Sequence, residues 1–178
     1  DYLTQNLNLD ITAKDIKNGG AAYLKGSVND LYSSQKLNLN LNIPNNISFE
    51  IPGLKDSVMT LNGNLDITGS VLNPDLNGSI AIPSVKIPDM LVAMDNMTVI
   101  LNGPIARGNG MLKRFVSGGI IAENLTSDFN LANNVFYLKN LKGDAFEGKI
   151  DGNISYNISN GHTGIDFKGA GMNAEKAI

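Results

Sequence analysis

Apolar and polar residues alternate along most of the chain. Leu37, Leu39, Leu41 and Ile43 are separated by Asn38, Asn40 and Asn42, the two-residue period of a strand with one apolar and one wet face. Leu3, Leu7, Leu9 and Ile11 share parity in the same way. From Met59 the odd positions read Met59, Leu61, Gly63, Leu65, Ile67, Gly69 and Val71, and every even position from Thr60 to Ser70 is polar. Asn73-Pro74-Asp75 interrupts this run with a turn, and the alternation resumes at Leu76, Gly78, Ile80 and Ile82. Pro83 and Pro88 bracket Val85 and Ile87, which predicts an edge strand or a kinked crossing. Further strands are predicted over 98–102, 119–131, 135–141, 146–155 and 163–168, with Asn133-Asn134 and Asn160-Gly161 as turns.

Helical signals are few. Met111, Leu112, Phe115 and Val116 share one helical face before Gly118-Gly119 and predict a short helix. Residues 172–178 predict another, with Asn173 as N-cap. Met90, Met94 and Met97 have helical spacing, but Pro88 and Asp95-Asn96 leave room for one turn, so these methionines read as filler in a loop or strand. The fold class predicted is all-β and mainly antiparallel, with about twelve strands.

A local repeat, apolar-x-Gly-x-apolar, recurs as Leu24-Gly26-Val28, Leu61-Gly63-Leu65, Leu76-Gly78-Ile80, Leu101-Gly103-Ile105 and Phe146-Gly148-Ile150. The copies are irregularly spaced, which does not support a solenoid period. Each Gly falls on the apolar face. Two explanations are open: strong curvature or close approach by something other than side chains, or a Gly that fits beside a bulky neighbour.

Composition narrows the function. The 178 residues include 25 Asn and 19 Gly but no Cys, no Trp and one His, and the formal charge is -3. No disulfide, thiol nucleophile or multi-His metal centre can be built from this set, and no basic footprint for nucleic acid is present. No apolar run reaches the roughly 18 residues of a membrane-spanning helix, and the low aromatic content speaks against an outer-membrane barrel with its aromatic girdles. The chain reads as a single segment of a longer protein.

Catalytic patterns fail on their own terms. His162 sits in Gly161-His162-Thr163-Gly164 with only Asp166 nearby in sequence, and no nucleophile is placed for it. Ser33-Ser34-Gln35-Lys36 has Ser-x-x-Lys spacing but precedes a strand and lacks the companion motifs. Gly103 to Gly108 has phosphate-loop spacing, but Asn109 and Gly110 stand where Lys and Ser or Thr are required. Asp10, Asp66, Asp75, Asp128 and Asp151 are isolated on wet faces or in turns. No enzyme activity, cofactor or metal is expected.

Two stretches carry a family resemblance. The first runs Ser117-Gly118-Gly119-Ile120-Ile121-Ala122-Glu123-Asn124-Leu125, then Val135-Phe136-Tyr137-Leu138-Lys139-Asn140-Leu141. It continues as Gly143-Asp144-Ala145-Phe146-Glu147-Gly148-Lys149-Ile150-Asp151-Gly152 and ends in Asn173-Ala174-Glu175-Lys176-Ala177-Ile178. It resembles the C-terminal region of the AsmA-like family, related to TamB. Upstream, 63–71 with Asn73-Pro74-Asp75-Leu76-Asn77-Gly78 resembles the strand-turn-strand unit of the same superfamily.

The resemblance implies a periplasmic segment from a diderm bacterium, in a protein anchored in the inner membrane by an N-terminal helix that this chain lacks. It implies a curved, folded-over sheet whose apolar groove carries phospholipid toward the outer membrane and supports envelope integrity. Envelope proteins are implied as further partners. The alternation is compatible, because a sheet with one wet face must fold over its apolar face or hold an apolar ligand. The expected lining is Leu61, Leu65, Ile67, Leu76, Ile80, Ile82, Phe129, Leu131, Phe146, Ile150, Ile154 and Phe167. Exposed apolar surface would also favour self-association of the isolated segment. The rival reading is a structural or adhesive β-sandwich or β-solenoid whose Asn-rich face binds a glycan or a partner, which requires a dry, closed core.

Overall fold

The computed structural model describes residues 5–15, 19–104, 106–173 and 175. They form one antiparallel sheet of eleven strands: β1 (Leu7–Lys14), β2 (Ala21–Asn29), β3 (Lys36–Glu50), β4 (Val58–Ser70), β5 (Pro74–Ile87), β6 (Val92–Pro104), β7 (Arg107–Ser117), β8 (Ile120–Ala132), β9 (Val135–Ala145), β10 (Gly148–Asn157) and β11 (Thr163–Ala170). Each strand pairs only with its neighbours in sequence, from β1 at one edge to β11 at the other. The sheet is therefore an open meander and not a barrel. At a strand spacing of about 4.8 Å it extends about 48 Å, with one strand fewer than the alternation suggests. A 3-10 turn, Pro88–Met90, joins β5 to β6. No helix among the described residues is long and apolar enough to cross a membrane.

Tight turns hold the meander. Gly118-Gly119, Asn133-Asn134 and Phe146-Glu147 each place two successive residues at positive φ, the conformation that two-residue hairpins need to match strand twist. Asn and Gly accept it easily, whereas Phe and Glu do not.

A line of irregularities crosses the sheet perpendicular to the strands. The β3–β4 register slips between Ile43 and Ile47, around Pro44. The β4–β5 register slips between Thr60 and Asn62, opposite Pro83. Asn96 in β6 and Asn124 in β8 have φ of 54° and 52°, and the β8–β9 register slips beside Asn124, between Glu123 and Thr126. An extra residue at such a bulge restarts the side-chain alternation in the opposite parity and bends the strand. The sheet is thus creased along its length.

The crease overturns the helix expected around Met111, Leu112, Phe115 and Val116, which lie in β7. Leu112 and Phe115 are three apart because the bulge puts both on the apolar face, opposite Met97 and Met94 of β6. The helical spacing of Met94 and Met97 has the same cause. Of the two alternatives at Pro83, the kinked crossing is the one that forms: β5 is internal, and its register slips opposite this proline. For the tail, the Asn173 side-chain oxygen (Oδ1) accepts the Glu175 N–H at 3.1 Å, the bond expected of an N-cap. Residues 174 and 176–178 of that expected helix, and Ile105 of the glycine repeat, lie outside the described residues.

The glycine repeat is resolved by β4 and β5. Gly63 and Gly78 have φ of 148° and 146°, a region open at little cost only to glycine. A Cβ on Gly63 would run into the Ser79 carbonyl oxygen and stand 2.8 Å from Ile80 Cα, and one on Gly78 would meet the Asn64 carbonyl oxygen and stand 3.0 Å from Leu65 Cα. The close approach is that of the next strand's backbone. Bulky neighbours also fold over the bare positions, with Ile80 Cδ1 3.0 Å from the Cβ position of Gly63 and Phe129 Cζ 3.1 Å from that of Gly108. Both explanations hold together at Gly63, as in curved sheets that pair glycine kinks with large cross-strand partners; Gly26 and Gly78 show the backbone approach alone, and Gly103 has no atom within 4 Å of its Cβ position.

Candidate functional site: an open apolar trough

Cross-strand pairing assembles the apolar residues into rows that run along the sheet. One row crosses all eleven strands: Ile11, Leu24, Leu41, Leu65, Gly78, Leu101, Gly108, Phe129, Leu138, Ile154 and Ile165. Beside it run Leu9, Gly26, Leu39, Ile67 and Leu76 on one side, and Ile43, Gly63, Ile80 and Val99 on the other. Past the crease come Ile82, Met97, Leu112 and Leu125, then Phe49, Met59, Val85, Met94, Phe115, Ala122 and Ala145. Phe129 and Phe136 stack on this face with centroids 6.0 Å apart.

This face is not covered. Among the described residues, only Ile43, Leu65, Val85, Ala122 and Ala145 are buried apolar side chains, and all five belong to these rows. The chain exposes 11,341 Å², where a compact domain of this size exposes roughly 8,400 Å². The difference, about 2,900 Å² by that scaling, is what an uncovered sheet face leaves in contact with solvent. No second sheet lies against it, so the dry core that a β-sandwich requires is not formed.

Eleven of the twelve expected lining residues stand on this face. Leu65, Phe129 and Ile154 share the continuous row; Ile67 and Leu76 flank it, with Leu131 opposite Phe136; Ile80 lies on its other side. Leu61, paired with Ile47, and Ile82 lie at the crease. Ile150 pairs with Gly143, and the Phe167 ring lies over its partner Gly152. Phe146 is the exception. It occupies the β9–β10 turn at φ 52° and not a strand position, because β10 begins only at Gly148. The row through Met59, Val85, Met94 and Phe115 was not among the expected lining. Its signal in the sequence is the parity change across Pro83 and Asn96.

The opposite face carries the polar half of the alternation, much of it internally paired, with exposed Ile100 and Met111 among it. Lys25 meets Asp10 at 3.2 Å and Arg114 meets Asp95 at 3.5 Å. The Asn40 amide donates to Asp66 at 2.8 Å and to Asn64 at 3.2 Å. Lys149 bonds Asp144, which also accepts from the Asn124 amide at 2.9 Å. The Lys149 bond, with help from Asn124, holds the Asp144 carboxyl below its ordinary value. An open recess of about 710 Å³ is lined by Asn42, Asn62, Asn64, Ser79 and Asn102 together with Ile43, Pro44, Ala81, Ile100 and Leu101. His162 lies in the exposed β10–β11 loop, its N–H bonded to the Asn160 side chain. Among the described residues no group of three or more His, Asp or Glu could hold a metal ion.

A family model described as TamB C-terminal domain matches residues 8–165, well over half of the chain and nearly the whole sheet. The chain belongs to the TamB C-terminal domain family. It is therefore a TamB-like protein of the bacterial envelope. No curated protein and no solved structure matches it. Within the TamB-family sheet, the matched span runs from β1 into β11 and includes every residue of the continuous apolar row, from Ile11 to Ile165.

Proposed function

We propose that this TamB-family segment works in the periplasm of a diderm bacterium, in a protein anchored in the inner membrane, as a trough that carries phospholipid toward the outer membrane. The observation that carries this reading is the apolar row that crosses all eleven strands while its face stays open. An acyl chain lying along the rows exchanges one apolar contact for the next. Each CH₂ kept from water is worth about 0.8 kcal/mol, so a sixteen-carbon chain would lose on the order of 12 kcal/mol at a full interruption. A continuous row avoids that barrier. The head group stays at the mouth, in water. No step in this passage requires a catalytic group, and we propose no enzymatic activity.

The test is the lipid content of the purified chain, read by native mass spectrometry and lipid extraction. Wild type is expected to carry phospholipid, and Leu65→Asp and Ile80→Asp to lose at least about tenfold of it while keeping the strand signature in circular dichroism. Folded variants with wild-type lipid content would sink the reading.

A further inference from the structure

The two long rims of the trough differ. One bears the β2–β3 and β4–β5 turns, where exposed Tyr32 and the single exposed pair Val71-Leu72 are set among Asp30, Ser33, Ser34, Gln35 and Asn73. The other bears the β5–β6 and β7–β8 turns, and its exposed apolar residues are contiguous. Met90 and Leu91 form the tip of the first turn and Ile120 opens the strand after the second. The turns touch, for Gly118 N–H donates to the Leu91 carbonyl at 3.3 Å. Leu91 is held at φ 54° with its side chain 70% exposed, a left-handed leucine presented to solvent.

At this rim the alternation of wet and dry faces stops. The outer-face row just below the turns reads Ala93, Val116 and Ile121, while the inner-face row beside it reads Met94, Phe115 and Ala122. The sequence shows it as unbroken apolar runs, Met90-Leu91-Val92-Ala93-Met94 and Ile120-Ile121-Ala122. Strand ends of that kind are normally covered on both faces. The next outer-face row is charged, with Asp95, Arg114 and Glu123 in register. The apolar band from turn tip to charged row is about four residues, or roughly 13 Å.

We propose that this rim inserts edge-on into the surface of a lipid bilayer. A protein partner docks on one face, whereas the apolar surface here covers both faces and the tip, which only a surrounding medium can cover. The depth of the band suits the headgroup and upper acyl region, where interfacial elements bury roughly 5–10 Å. The charged row Asp95-Arg114-Glu123 marks the water limit, and Lys86, the direct partner of Ala93 in the outer-face row, extends to the interface on its apolar stem. With a formal charge of -3, the chain suits zwitterionic lipid better than anionic lipid.

The chain lacks Trp, so Met90→Trp supplies a sole reporter. With phosphatidylcholine vesicles its emission is expected to shift to the blue and to be quenched by lipids brominated near the headgroup. The double variant Leu91→Asp, Ile121→Asp is expected to lose about tenfold or more in vesicle partition, and Leu72→Asp on the opposite rim to keep it. Ile80→Asp, inside the trough, should keep rim binding even where bound phospholipid is lost, which separates this proposal from the trough reading. Trp emission unmoved by vesicles would overturn the proposal, as would equal losses at Leu72 and at the Leu91–Ile121 pair. A dimer that Leu91→Asp dissociates, in a chain that does not bind vesicles, would overturn it in favour of contact between two copies.

Discussion

Gly63 of β4 stands directly across from Ile80 of β5, and the isoleucine fills the space that the glycine leaves on the apolar face. The two residues join backbone and side-chain requirements at one point. Gly63→Ala is expected to cost about 2–4 kcal/mol, since it combines a forbidden φ with a clash against the Ser79 carbonyl. Gly110→Ala is the matched control: no positive φ is required there and the nearest atom to a new Cβ is the Thr98 carbonyl at 3.8 Å. It is expected to be neutral or stabilising by up to about 1 kcal/mol. Urea unfolding of both variants checks the pair.

The crease depends on residues that accept left-handed geometry inside a strand. Asn96→Gly is expected to keep stability within about 0.5 kcal/mol of wild type, and Asn96→Val to lose about 1–2 kcal/mol, because a β-branched residue resists positive φ. Equal melting temperatures for the two would contradict an essential bulge at this position.

Phe146 and Glu147 form a hairpin turn with residues poorly suited to it. The double substitution Phe146→Asn, Glu147→Gly installs the pair preferred by this turn and is expected to raise stability by about 1 kcal/mol or more. The same variant should retain bound lipid, since Phe146 stands in the turn and outside the apolar rows. Thermal unfolding and lipid extraction on one preparation read both outcomes.

Asp144 gives a pH signature. Its carboxyl is held below the ordinary carboxylate value by Lys149 and then Asn124, so the folded state favours the ionised form. The stabilisation is present above the unfolded-state value of about 3.9 and is lost as pH falls through the lower folded value. Lys149→Met should therefore unfold more easily than wild type at neutral pH, with the gap closing in acid below that window. A gap that persists unchanged at the acid end would mean that Lys149 acts through packing.

An uncovered apolar face should also register with a hydrophobic dye. Native wild type is expected to bind anilinonaphthalene sulfonate at neutral pH without partial unfolding and to release it as phospholipid is added. Dye binding that appears only in denaturant would indicate a covered face.

Much of this architecture could be read from residue order. Leu37 to Ile43 and Met59 to Val71 announce strands with one dry face, and their pairing then follows from the short turns between them. The lining residues in those runs were legible for the same reason. The crease was harder to see. Met94 with Met97, and Leu112 with Phe115, imitate a helix because a bulge and a helical turn both bring residues three apart to one side. Parity decides between them, since Leu76 to Ile82 run on even numbers and Val85 and Ile87 on odd, with Pro83 at the change. Phe146-Gly148-Ile150 repeats the local pattern and so predicts a strand that starts at Phe146. Only the pairing of Ala145 with Gly148 shows that the pattern begins with a turn. The rim was also legible in part, as runs without alternation, but their meaning required knowing that they lie side by side.

Because every strand pairs only with the strand before and after it, the trough has no keystone. Removing one hairpin, such as β8 with β9, would shorten it by about 10 Å and bring β7 against β10, with the rows able to rejoin. Adding a hairpin would lengthen it by the same amount. The protein can therefore be regarded as a ruler written in units of two strands, whose length is set by the number of hairpins encoded and adjusted by duplication or loss without redesign of a core.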